Sequence, residues 1–142
     1  MNAKPRQSGV ALIEVMIATV ILAIGVLGAI GLQAKSLAAL SDAGARVDAT
    51  IAAEKLIGLM WNDQGNLANY GWDSTGGTAP PAVMVNWMTE TQAALPNATA
   101  VITVTPVAGT SANLVSVTIT WQRRGGDAQN SHTIVATLAQ TT

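Results

Sequence analysis

From Val10 to Leu32 the chain reads VALIEVMIATVILAIGVLGAIGL, and Glu14 is the only charge within it. A helix of that length and polarity is long enough to cross a bilayer. It constrains the rest of the fold by subtraction. Removing residues 1–32 from the 142 leaves about 110, enough for one small core and little beyond it. Glu14 is the more informative part of the run. A carboxylate within lipid costs roughly 2.5–3.5 kcal/mol or more, so it calls for a partner and a purpose.

The flanks set an orientation. Lys4 and Arg6 precede Ser8-Gly9, and the apolar run starts directly after the glycine. Basic residues on the N-terminal side hold that end in the cytoplasm, and Lys35 alone is too little to reverse it. A cleaved secretory signal is one reading, since Ala29-Ile30-Gly31 offers a small-x-small site. Against it, the run is longer than the 7–15 apolar residues of such a signal, and an acid near its start weakens insertion. A plain signal anchor tolerates the length and leaves Glu14 unexplained.

Together the basic leader, the glycine, and a glutamate at the fifth position after it resemble the class III leader of type IV prepilins. The resemblance implies cleavage by prepilin peptidase between Gly9 and Val10, with N-methylation of Val10. Glu14 is then the residue that guides assembly, and Lys4 and Arg6 are the basic residues of the leader. The first mature residue in these proteins is often phenylalanine, so Val10 departs from the habit. The chemistry is coherent: cutting after Gly9 creates an ammonium four residues from Glu14. The carboxylate then sits in the first helical turn, where the helix dipole favours an anion. In a filament of staggered helices it could meet the amine of another subunit, and removing one member of such a buried pair costs about 3–5 kcal/mol.

Nothing stops the helix at Leu32. Residues 33–62 are rich in alanine and free of proline. Leu37, Leu40, Val47 and Ile51 fall on one stripe at helical spacing, with Asp42 and Arg46 spaced as an i,i+4 pair on the far side. One helix over 10–62 would run roughly 80 Å, and the stripe is expected to bury itself against whatever follows. Gly25, Gly28 and Gly31 recur every third residue and would let a neighbouring helix approach closely. Each also costs about 1 kcal/mol of helix propensity relative to alanine.

After Asn62 the composition changes. Residues 63–82 are rich in Gly, Asn, Asp, Thr and Pro and read as a long surface loop, with Tyr70 and Trp72 as its tethers to the core. Residues 83–95 have the spacing of a short amphipathic helix, which Pro96 ends. Three period-two segments follow: one around Ile102 and Val104, one from Val115 to Trp121, and one from Thr133 to Leu138. They predict three half-buried strands with threonine on the outer face. Gly125-Gly126 lies in the link between the last two. The expected architecture is α+β: a long N-terminal helix, half membrane span and half amphipathic, packed on a small antiparallel sheet. That is the pilin lollipop shape. The segments are a leader at 1–9, a spanning and polymerisation helix at 10–32, its amphipathic continuation at 33–62, and a head at 63–142.

Several chemistries are excluded or weak. Net charge is −1, and losing the two leader cations takes it to −3. Arg123-Arg124 is a lone basic pair, so no basic patch marks a nucleic-acid partner. Cysteine is absent and His132 is the only histidine, which excludes Cys/His zinc sites and cysteine nucleophiles. His132 reads as a surface residue at the start of a strand. No GxSxG, HExxH or phosphate-binding glycine loop occurs, so no catalytic site and no cofactor is expected. Asp63, Asp73 and Asp127 fall in loops without the alternating spacing of a calcium loop. Asn97-Ala98-Thr99 fits a glycosylation sequon.

Within the superfamily the chain looks most like the PilV type of minor pilin, the type IV pilus modification proteins. Valine at the first mature position, Ala11-Leu12-Ile13-Glu14-Val15, and Ile24-Gly25-Val26-Leu27-Gly28 carry that likeness. Ala94-Leu95-Pro96 and Val117-Thr118-Ile119-Thr120-Trp121 add to it. The resemblance implies a subunit held in the bacterial inner membrane, head outward, until it joins the pilus at the cell surface. Its partners would be prepilin peptidase, other minor and major pilins, the inner-membrane assembly platform, and the lipid bilayer before assembly. Its role would be to prime assembly or form the tip complex for adhesion and twitching motility. A minor pseudopilin of a type II secretion system or of a DNA-uptake apparatus shares the same N-terminus and remains the alternative.

Overall fold

The computed structural model describes residues 8–122 and 129–139. Helix α1 runs without interruption from Ser8 to Asn62. The chain divides into two compact units, one ending at Leu40 and one beginning at Ser41. Within the first, every residue from Val10 to Leu40 is exposed.

The second unit contains the rest of α1, then strand β1 (Trp72–Asp73), helix α2 (Val85–Ala94), and strands β2 (Thr99–Pro106), β3 (Ala112–Gln122) and β4 (Gln129–Ala139). The strands form one antiparallel meander in the order β1-β2-β3-β4. A long helix packed on a small antiparallel sheet is the α+β, pilin-like architecture expected. The sheet has four strands where three were predicted, because a two-residue strand carries too little pattern to be read. Trp72 pairs with Ile102 and Asp73 with Val101.

The face that α1 buries corrects the sequence reading. Val47 is 57% exposed and Ile51 46%, and Leu37 and Leu40 are likewise open. The buried positions are Ala49, Ala52, Ala53, Leu56 and Met60, with Ala45 partly buried beside them. Charge decided between the two faces. Continuing the Val47–Ile51 line by helical steps reaches Glu54 and Lys55, whereas the buried positions from Ala45 to Met60 are themselves all uncharged. Alanine also brings the helix backbone close to the sheet, so Ile102, Val115, Val117, Ile119 and Leu138 fill the space between.

Within the sheet the period-two reading holds. Val115, Val117, Ile119 and Trp121 are buried and alternate with half-exposed Ser116, Thr118 and Thr120. On the outer face Thr118 faces Thr133 across the ladder, their hydroxyls 2.9 Å apart. The β2–β3 turn needs Gly109, whose φ of 76° lies in the left-handed region. Among the described residues, the Trp121 Nε1 is the one buried side-chain polar atom without a partner. An orphaned donor costs about 1–3 kcal/mol, so Trp121 serves the core through its bulk.

Residues 63–82 are more structured than a surface loop. Gln64–Tyr70 and Ser74–Gly76 form 3₁₀ turns on either side of β1. Tyr70 is buried and Trp72 packs on the core, as expected of tethers. The Tyr70 hydroxyl donates to Asp63 Oδ2 at 3.1 Å, and Asn66 Nδ2 donates to Asp63 Oδ1 at 2.7 Å. Each turn is thus held by side chains close in sequence, a pattern that composition alone conceals. Helix α2 stops before Pro96, where the Leu95 N–H still bonds the Thr91 carbonyl.

Candidate functional site

The chemistry-bearing end of the molecule is the first turns of α1. Val10 and Glu14 are one helical turn apart, so they share a face, with Ile13 and Ile17 beside them around a shallow surface depression. All four are exposed, Val10 at 72%. Among the described residues Glu14 makes no hydrogen bond or ion pair within the chain. Within those residues its carboxylate stands open to a partner. Gly9 lies in the α1 backbone; Lys4 and Arg6 lie outside the described residues.

The surface around this carboxylate is unfit for water. None of the most apolar 18-residue stretch of the helix is buried. Each Val, Leu or Ile left open there forgoes about 1.5–3 kcal/mol that burial would supply. The one hydroxyl in the run is satisfied locally: that of Thr19 donates to the Met16 carbonyl at 2.8 Å. Gly25, Gly28 and Gly31 face open space, and a Cβ built on any of them meets nothing within 4 Å. Among the described residues no contact requires those glycines.

The loop residues considered for calcium are engaged locally. Asp63 accepts from Tyr70 and Asn66. Asp73 accepts from the Thr75 N–H and hydroxyl, which hold its carboxyl below the ordinary value. Asp127 lies outside the described residues, as do Arg123-Arg124 and Gly125-Gly126. No group of three or more metal-ligating residues occurs among the described residues. The sequon residue Asn97 takes a positive φ of 52° and donates to Gln122 Oε1 at 2.7 Å.

His132 is misplaced by the sequence reading. β4 begins at Gln129, so His132 lies within the strand, half-buried, with Nε2 3.3 Å from the Thr50 hydroxyl on α1. That hydroxyl spends its hydrogen on the Arg46 carbonyl, so the ring N–H is the donor. The residue pins the helix to the edge strand. A second contact also went unread: Lys55 of α1 reaches Glu90 of α2 at 3.2 Å over a shallow groove. Both ends are well exposed, so the pair contributes about 0–1 kcal/mol. Nothing local in the sequence marks either pairing.

Residues 4–30 match the family model described as the prokaryotic N-terminal methylation motif. The motif is typical of type IV pilins and pseudopilins and implies processing by prepilin peptidase. That motif at one end and the helix-on-sheet fold make the chain similar to type IV pilins and pseudopilins, which are structural proteins. Its apolar N-terminal helix is consistent with an inner-membrane prepilin that later enters a pilus or secretion apparatus. No curated protein and no solved structure matches the chain.

Proposed function

We propose that this chain is a minor pilin of a type IV pilus, of the PilV type. Prepilin peptidase cuts it after Gly9 and methylates Val10, and Glu14 neutralises the new amine of a neighbouring subunit during assembly. It then helps prime the filament or completes the tip complex for adhesion and twitching motility, alongside other minor and major pilins and the inner-membrane platform. The observation that carries this reading is Glu14: a carboxylate without a partner among the described residues, on an exposed apolar helix, inside a methylation motif. A charge in that setting is tolerable when a second molecule supplies its counter-ion. The exposed Leu37, Leu40, Val47 and Ile51 support the same reading, since they leave apolar surface for neighbours.

Two measurements test it. Mass spectrometry of the exported chain should find a mature N-terminus at methylated Val10; any other start sinks the processing assignment. Deletion of the chain should then reduce surface pili and twitching. Intact piliation with loss of protein secretion, or of DNA uptake, would instead identify a pseudopilin.

A further inference from the structure

The two edges of the sheet are treated differently. At one edge β1 is two residues long and flanked by 3₁₀ turns, a device that blunts strand addition. At the other, β4 extends over eleven residues, Gln129–Ala139, and among the described residues pairs only with β3. Free edges are ordinarily guarded by charge, proline or a bulge. β4 contains no charged residue and no proline, and its register with β3 is continuous from Gln129 to Ala139. Its outer edge therefore offers an unbroken row of backbone donors and acceptors.

We propose that the occupant of this edge is β4 of a second copy, paired antiparallel across a two-fold axis centred on Val135. Three features of the strand select a copy of itself. First, an uncharged strand meets no like charge when it faces its own image. Second, pairing centred on a residue preserves the faces of the sheet. Thr133 then meets Thr137 of the other copy, Ile134 meets Ala136, and Val135 meets Val135. The 58% exposed Val135, an apolar residue on a hydroxyl-rich face, gains an apolar partner. Third, each copy has one long open edge, so the contact is isologous and closes at two copies. The result is a sheet continuous through both heads. This inference rests on the sheet edge alone and stands whichever filament or apparatus the chain enters.

The chain has no cysteine, which makes the test direct. Directly opposed residues of antiparallel strands have Cα atoms about 4.5–5.5 Å apart, within the span of a disulfide. Full-length chain carrying V135C, oxidised in its native membrane, should give a homodimer of doubled mass on a non-reducing gel. T133C and T137C should each fail alone and crosslink when co-expressed. T103C, exposed on the same face but on inner strand β2, is the control for chance collision. Adding V135K should abolish the T133C–T137C dimer by placing like charges opposite each other. A V135C chain that dimerises no more than T103C, or that crosslinks only to a different polypeptide, overturns the proposal.

Discussion

The Trp87 indole donates a 2.7 Å hydrogen bond to the Ala52 carbonyl, from one buried helix residue to another 35 positions away. That carbonyl belongs to the alanine face of α1, so the bond fastens α2 to the long helix at a position where α1 itself offers only a methyl side chain. Trp87→Phe keeps most of the packing and should cost about 1 kcal/mol. Trp87→Ala should cost about 3–5 kcal/mol. Guanidinium unfolding of the detergent-solubilised chain measures both, and equal losses would show that the hydrogen bond is immaterial.

The two faces of α1 should respond oppositely to volume. Ala53 is fully buried, so Ala53→Leu forces the helix off the sheet and should destabilise the head by about 1–3 kcal/mol. Val47→Ala, on the exposed face, should stay within about 0.5 kcal/mol of the parent. Thermal unfolding followed by circular dichroism separates the two. A large loss for Val47→Ala would mean that the outer face is covered within the monomer.

Burial raises the Tyr70 pKa above its ordinary value of 10.0, and the hydrogen bond to Asp63 and the charge of that carboxylate add to the shift. A raised folded-state pKa favours the protonated form in the fold. The resulting stabilisation is therefore complete below pH 10 and is lost as pH rises through the higher folded-state value. Tyr70 is the only tyrosine, so phenolate absorbance reports on it alone. The folded chain should titrate later than the unfolded one, and Tyr70→Phe should abolish the signal and cost about 1–2 kcal/mol. Coincident titration curves would refute the shift.

Glu14→Ala should leave peptidase cleavage and methylation of Val10 largely unaffected while sharply reducing incorporation into filaments. Sheared-filament immunoblots at native expression read the second effect and N-terminal mass spectrometry the first. Wild-type incorporation of the variant would remove the proposed role of the carboxylate.

How far the sequence could be read followed from the range of each signal. The continuity of α1 was legible because helical periodicity without proline is a local property. β3 and β4 were legible because Val115–Trp121 and Thr133–Leu138 alternate cleanly. The buried face of α1 was not, because large side chains on the Val47–Ile51 line outweighed the absence of charge on the alanine line. Only the sheet, far away in sequence, shows that small residues are what the contact needs. The turns around β1 escaped notice because Gly, Asn and Asp compose mobile loops and side-chain-locked turns alike. At the N-terminus, Glu14 and Val10 stood out by pattern, whereas His132–Thr50 and Lys55–Glu90 join residues with no local mark of their pairing.

A helix face made of methyl groups is nearly smooth. Ala45, Ala49, Ala52 and Ala53 give the sheet little side chain to grip, so resistance to axial sliding falls to the bulk of Leu56 and Met60, to the Trp87 bond at Ala52 and to the His132 contact at Thr50. Tension drawn along α1 is accordingly borne at a few discrete anchorages and not shared evenly down the seam, and rupture under load would begin at one of them.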